Sequence, residues 1–200
     1  MMKQEDQYMR IAVTGGIGSG KSFVCRLLEQ RLGVSIYDCD AAAKRLMRAS
    51  DALRRQLTAL IGPDAYTADG LLNKAAVAQF LLSSEQHTQA LNAIVHPAVA
   101  RDFLDSGQHW MECAILFESG FDRLVQHVVV VTAPPQVRLQ RIMQRDGISH
   151  EKARQWMDKQ WPQDELLRRA DYEISNDGRE PLEPQIENLL RHLQTCKKPF

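Results

Sequence analysis

Gly15-Gly16-Ile17-Gly18-Ser19-Gly20-Lys21-Ser22 follows directly on the apolar run Met9-Arg10-Ile11-Ala12-Val13-Thr14. The octapeptide fits G-x-x-x-x-G-K-[ST], and its flanks read as the strand before and the helix after that this pattern requires. Its glycines let successive backbone N–H groups turn toward one anion, and the N-terminus of the following helix adds its positive dipole end. In such a loop the lysine, here Lys21, reaches the β- and γ-phosphates, and the hydroxyl, here Ser22, is a ligand for Mg²⁺. The stretch predicts a binding site for a nucleoside triphosphate. Gly16, Ile17, Gly18, Ser19, Gly20, Lys21, Ser22 and Phe23 are the residues expected to line it.

Periodicity extends this into an α/β fold. Phe23, Val24, Leu27, Leu28 and Leu32 recur at three- and four-residue steps, which predicts a helix over 20–32, stopped by Gly33. A short strand is expected at 34–37, ending in Asp38-Cys39-Asp40. Strand signals return at 110–117 and 128–132 as near-continuous apolar runs, the mark of parallel strands buried on both faces. A last strand is expected at 171–175 and a closing helix at 181–193. Alternating strands and helices point to a mostly parallel sheet flanked by helices. Two helical blocks interrupt it, at 41–107 and at 137–169, each far longer than an ordinary crossover. His96-Pro97 reads as a break between two helices inside the first block. The core is then 9–40, 108–136 and 170–200, and the polar 1–8 reads as a disordered lead-in.

The 200 residues carry 25 basic and 25 acidic side chains. No global charge draws such a chain to nucleic acid or an anionic membrane, and no apolar stretch is long enough to span a bilayer. The four cysteines, Cys25, Cys39, Cys113 and Cys196, form no C-x-x-C pair. That spacing suggests reduced thiols of a cytoplasmic protein rather than a zinc site or a disulfide framework.

Two groups of side chains and two single ones could carry chemistry. Asp38 and Asp40 flank one residue at a strand end, where period two points both carboxylates to one side. Phosphoryl transfer needs an acid that accepts or orients the acceptor's proton; the bland alternative is a helix cap. Arg138, Arg141 and Arg145 share one helix face. They read either as a solvated stripe or as charges that close over a triphosphate. Glu118, after Ile115-Leu116-Phe117, resembles the acid that ends a Walker B strand or is a cap or surface acid, and Asn176 follows the last strand, where an adenine edge is often read or an Asn simply makes the turn. His96 by itself reads as a structural hydrogen-bonder.

Taken in order, Thr14 to Ser22, Asp38-Cys39-Asp40, Leu91 to Pro97, Gln144-Arg145-Asp146, Ala170-Asp171 and Ile174-Ser175-Asn176 form a series that resembles the dephospho-CoA kinases. The resemblance covers about 10–193. It implies ATP-dependent phosphorylation of the ribose 3′-hydroxyl of dephospho-CoA with Mg²⁺, giving CoA and ADP. By the same resemblance Asp40 is the base, Arg141 the lid arginine, and Asn176 and Arg145 contacts for ATP. Block 41–107 would bind the acceptor, with Asp40, Lys44, His96 and Glu118 as substrate contacts, and 137–169 would be the lid. Ser22 and Asp38 are the expected metal ligands, and a cytoplasmic monomer or small homo-oligomer is the expected assembly.

Four positions depart from the family's pattern: Phe23 for Thr, Cys39 for a smaller residue, Lys44 for Arg, and Ala114 for Pro. Other small-molecule P-loop kinases, such as nucleoside monophosphate kinases, share the layout of core, insertion and lid. A GTP-dependent switch would carry an N-K-x-D string, and this sequence contains none.

Overall fold

The computed structural model describes residues 9–195. The proposed lead-in and Cys196 lie outside them. Five strands, β1 (Ile11–Thr14), β2 (Ile36–Asp38), β3 (Trp110–Glu112), β4 (His127–Thr132) and β5 (Tyr172–Ser175), order as β2-β3-β1-β4-β5. β1 pairs in parallel with β3 and with β4, and β4 with β5. The register sets Val13 beside both Glu112 and Val129, so the ends of the three inner strands rise together at the edge where the phosphate loop begins.

The described residues form two compact units, 9–36 with 109–195, and 37–108. In the first, alternation along the strands sends Ile11, Val13, Val129, Val131 and Ile174 to one face, against Val24 and Leu28 of α1 (Lys21–Leu32) and Ile186 and Leu189 of α9 (Leu182–Thr195). Burying one such aliphatic side chain contributes about 1.5–3 kcal/mol. Gly33 ends α1 in the left-handed region at φ 65, its N–H closing on the Glu29 carbonyl at 2.9 Å, a standard helix stop. α6 (Pro135–Asp146), α7 (His150–Asp158) and α8 (Gln163–Leu167) belong to this unit. A separate apolar cluster of Leu139, Ile142 and Ala153 joins α6 to α7 and takes in Ile17 from the phosphate loop.

The second unit contains α2 (Cys39–Ala49), α3 (Asp51–Ile61), α4 (Lys74–Ser83) and α5 (Glu85–Asp105). Ser50, Asn73 and Ser84 cap the last three through their side-chain oxygens, each satisfying a backbone N–H that the helix leaves open. The expected break at His96-Pro97 is not there: Pro97 lies inside the 21-residue α5. Pro97 removes one helical hydrogen bond and crowds the Ala93 carbonyl. Four buried residues at steps of four, Leu91, Val95, Val99 and Phe103, hold the helix through it. Tertiary burial wins over the local breaker.

Two strand boundaries also differ from expectation. β2 begins at Ile36, and Val34 is exposed. β3 ends at Glu112 rather than running to Phe117; residues 114–120 form turns. The apolar stretch there comes from side-chain packing of a loop, with Cys113 and Leu116 buried, and not from a continued ladder. Among the described residues no helix is long and apolar enough to cross a membrane.

Candidate active site

The loop between β1 and α1 is an anion cradle. Gly18 and Gly20 lie at φ 79 and φ 93, conformations that L side chains rarely adopt. A Cβ on Gly18 would meet the Arg138 carbonyl oxygen at 2.6 Å, and one on Gly20 would overlap the Asn176 amide. The Ser19 N–H closes a turn onto the Gly16 carbonyl at 3.1 Å. The N–H groups of Gly18, Gly20, Lys21 and Ser22 have no hydrogen-bond partner among the described residues. The Ser19 hydroxyl, buried in the loop, has none either. Such donors are costly to bury unsatisfied, and a phosphate supplies the acceptors they lack.

Lys21 is buried, its Nζ 3.4 Å from the Gly16 carbonyl. Burial pushes its pKa down, outweighing the attraction of Glu112, and the charge of Arg138 pushes the same way. A lysine with a depressed pKa binds its proton less tightly folded than unfolded, so its charge costs stability. That cost is full below the folded pKa and fades as pH rises through it. Lys21→Met is therefore expected to melt higher than the unliganded wild type at neutral pH, with the gain shrinking toward alkaline pH. A lower melting temperature at neutral pH contradicts the burial argument.

Glu112 is a residue the sequence reading missed. Its Oε1 accepts the Ser22 hydroxyl at 2.7 Å. The acid that terminates the strand beside the loop is thus Glu112, while Glu118 sits exposed among the turns after it. The available signal was a lone charge, Glu112, closing the apolar Trp110-Met111. Ser22 and Glu112 together offer hard oxygen donors, the chemistry Mg²⁺ takes when substrate phosphates and water complete its shell. Among the described residues no group of three His, Cys, Asp or Glu is arranged to hold a metal unaided.

The three arginines expected on one face of α6 have separate fates. Arg138 is buried and its Nε donates to the Ile17 carbonyl at 2.9 Å, so it is part of the loop's wall. Arg141 donates through Nη1 to the carbonyls of Gly18 at 3.4 Å and Ser19 at 3.2 Å, and through Nη2 to Asn176 Oδ1 at 3.4 Å. Arg145 pairs with its neighbour Asp146 and is exposed. Asn176 is buried, and its Nδ2 donates to the Ser19 carbonyl at 2.8 Å. Its amide braces the loop, a role the sequence reading did not include.

In the second unit, Asp38 caps α2, its Oδ1 accepting from the N–H groups of Asp40 and Ala41 at 2.9 Å each. The helix starts at Cys39, so period two fails here: Asp38 is the cap and Asp40 stands in the first turn. The cap bonds compete with the metal role expected of Asp38. Asp40 is exposed and ion-paired one turn on with Lys44, whose pKa that carboxylate raises. Cys39, between the two acids, is buried. His96 is half-buried on α5, and burial lowers its pKa. Phe23, at the first departure from the family's pattern, is 48% exposed with Arg26 against its ring; nothing in the structure explains the substitution.

A family profile described as dephospho-CoA kinase matches residues 9–181. The chain is 40% identical over 196 residues to a dephospho-CoA kinase of Porphyromonas gingivalis, covering 94% of this chain and 96% of that protein. It is 38% identical over 192 residues to one of Bacteroides fragilis, covering 92% and 93%. Among solved structures it is similar to TT1252 from Thermus thermophilus, with a TM-score of 0.79 at 29% identity over 97% of this chain and 100% of that one. A shikimate kinase from Acinetobacter baumannii, at a TM-score of 0.58 and 17% identity, covering 96% of this chain and 97% of that one, shares the fold.

Proposed function

The chain belongs to the dephospho-CoA kinase family, and from that premise we infer how its own residues carry the ATP-dependent phosphorylation of the dephospho-CoA ribose 3′-hydroxyl. One observation supports the reading above the others: the partnerless N–H groups of Gly18, Gly20, Lys21 and Ser22 surround a lysine whose charge burial disfavours. The β- and γ-phosphates of ATP satisfy both.

Lys21 holds the phosphoryl group that transfers, and its attraction grows as negative charge shifts toward the leaving oxygen. Arg141, already directed at the loop, adds a planar cation to the same charge. Asp40 accepts the proton of the attacking hydroxyl, and Lys44 keeps that carboxylate in place; by the family pattern Lys44 also faces the acceptor's phosphate, as a point charge where an arginine would form a fork. His96 and Glu118 are further acceptor contacts, and Asn176 and Arg145 contacts for the nucleotide. Residues 41–107 bind the acceptor, and 137–169 act as the lid. Ser22 and Glu112 would hold Mg²⁺, which would supply charge neutralisation for the triphosphate. We read the enzyme as a cytoplasmic monomer or small homo-oligomer that acts on ATP and dephospho-CoA without nucleic acid.

Acceptor choice tests this reading against a nucleoside monophosphate kinase. Dephospho-CoA is expected to raise the melting temperature of the protein clearly more than AMP at equal concentration, since ligand binding to the native state stabilises it. If AMP stabilises as strongly and dephospho-CoA does not, the acceptor assignment fails.

A further inference from the structure

We propose that Gln160 is a positioning residue for the transfer, the side chain through which the segment joining α7 to α8 holds the phosphate loop; this rests on the reading of that loop given above. The Ile17 N–H donates to Gln160 Oε1 at 2.6 Å, across 143 residues of sequence. On the other side of the same residue, the Ile17 carbonyl accepts from Arg138 Nε at 2.9 Å. The Ile17 side chain packs into the apolar cluster of α6 and α7. Ile17 is thus gripped three ways by 135–160: its N–H by Gln160, its carbonyl by Arg138, and its side chain by the cluster.

The bond to Gln160 also sorts the donors of the loop. Gly18, Gly20, Lys21 and Ser22 keep their N–H groups for an anion, whereas the N–H of Ile17 is already taken. A phosphate therefore enters a cradle whose tip is fixed in advance. The residues that follow Gln160 are packed in place. Its neighbour Trp161 stacks on Phe117, with centroids 5.8 Å apart and planes 13° apart, and Arg169 lies over the Trp161 ring at 4.7 Å. Two residues on, Gln163 Oε1 accepts the Ala133 N–H at the end of β4 at 3.2 Å. The side chain that reaches Ile17 is thus followed directly by two residues held against the rest of the unit.

Removing the acceptor while keeping the reach isolates this bond. Gln160→Met should leave Lys21 and the four open N–H groups in place, so the Kd for MgATP should change by less than about threefold. Turnover should fall by about ten- to a hundredfold, the scale on which small misplacements far from the reacting atoms act. Gln160→Glu, which keeps an acceptor of the same length, should recover most of the lost turnover. In the unliganded wild type, the Ile17 amide should exchange with solvent deuterium more slowly than those of Gly18 and Gly20. Wild-type turnover in Gln160→Met overturns the proposal, as does equal loss of turnover in Gln160→Glu. So does an Ile17 amide that exchanges as fast as its neighbours, a test that needs no variant. A wild-type protein that binds no MgATP would instead remove the reading of the loop on which the proposal rests.

Discussion

Arg141→Lys is expected to lower turnover by about 10³-fold or more, within the range by which a planar cation accelerates phosphoryl transfer. The guanidinium of Arg141 is held by three acceptors, the carbonyls of Gly18 and Ser19 and the amide oxygen of Asn176. These bonds aim its plane at the loop. An ammonium on a flexible stem keeps the charge but gathers its donors on one nitrogen, so it cannot span the acceptors that Arg141 reaches from Nη1 and Nη2. The loss should therefore appear in kcat, and the affinity for dephospho-CoA measured without ATP should stay close to the wild type. Steady-state kinetics with calorimetry of the acceptor separates the two. An equal loss of acceptor affinity would move Arg141 out of the nucleotide site. Arg145→Lys should be milder, because Arg145 is exposed and paired with Asp146 rather than with the loop.

Asp40→Asn is expected to lower turnover by about 10²–10⁴-fold, the usual contribution of general acid–base catalysis. The amide keeps the shape of the side chain but cannot take a proton from the acceptor hydroxyl. It also ends the ion pair with Lys44. Lys44→Ala distinguishes the two effects. That variant loses the pair and keeps the base, so it should cost far less turnover than Asp40→Asn. If Lys44→Ala proves as damaging to kcat at saturating dephospho-CoA, where its phosphate contact no longer limits binding, the ion pair matters more than the proton transfer. Asp38→Asn should act chiefly on stability, through the two N–H groups that Asp38 caps.

The phosphate loop could be read from the sequence because its chemistry is local. Eight consecutive residues carry both the backbone geometry and the charged group, and the strand and helix beside them follow from periodicity. Residues whose roles depend on distant partners could not be read in this way. Glu112 meets Ser22 across 90 residues, and Gln160 meets Ile17 across 143. Neither carries a motif. Arg138 and Arg141 look alike on a helical wheel, yet Arg138 is buried against the Ile17 carbonyl while Arg141 reaches the carbonyls of Gly18 and Ser19 and the Asn176 amide, a difference set by how α6 lies on the loop. The pair Asp38 and Asp40 was legible as residues and misread as geometry, because the first turn of α2 starts between them. Pro97 is the converse case. A strong local breaker yields to Leu91, Val95, Val99 and Phe103, whose spacing is visible in the sequence but whose shared burial is not.

The central claim is that the loop, Lys21, Arg141 and Asp40 serve one reaction on one acceptor. The most direct measurement is mass spectrometry of the full chain's products after incubation with ATP, Mg²⁺ and dephospho-CoA. The account predicts a CoA product one phosphoryl group heavier than the acceptor, formed one-for-one with ADP. It also predicts that the same product is lost in Lys21→Ala, which keeps the backbone cradle and removes the charge. ADP formed without CoA, or CoA formed at an undiminished rate by Lys21→Ala, would contradict it.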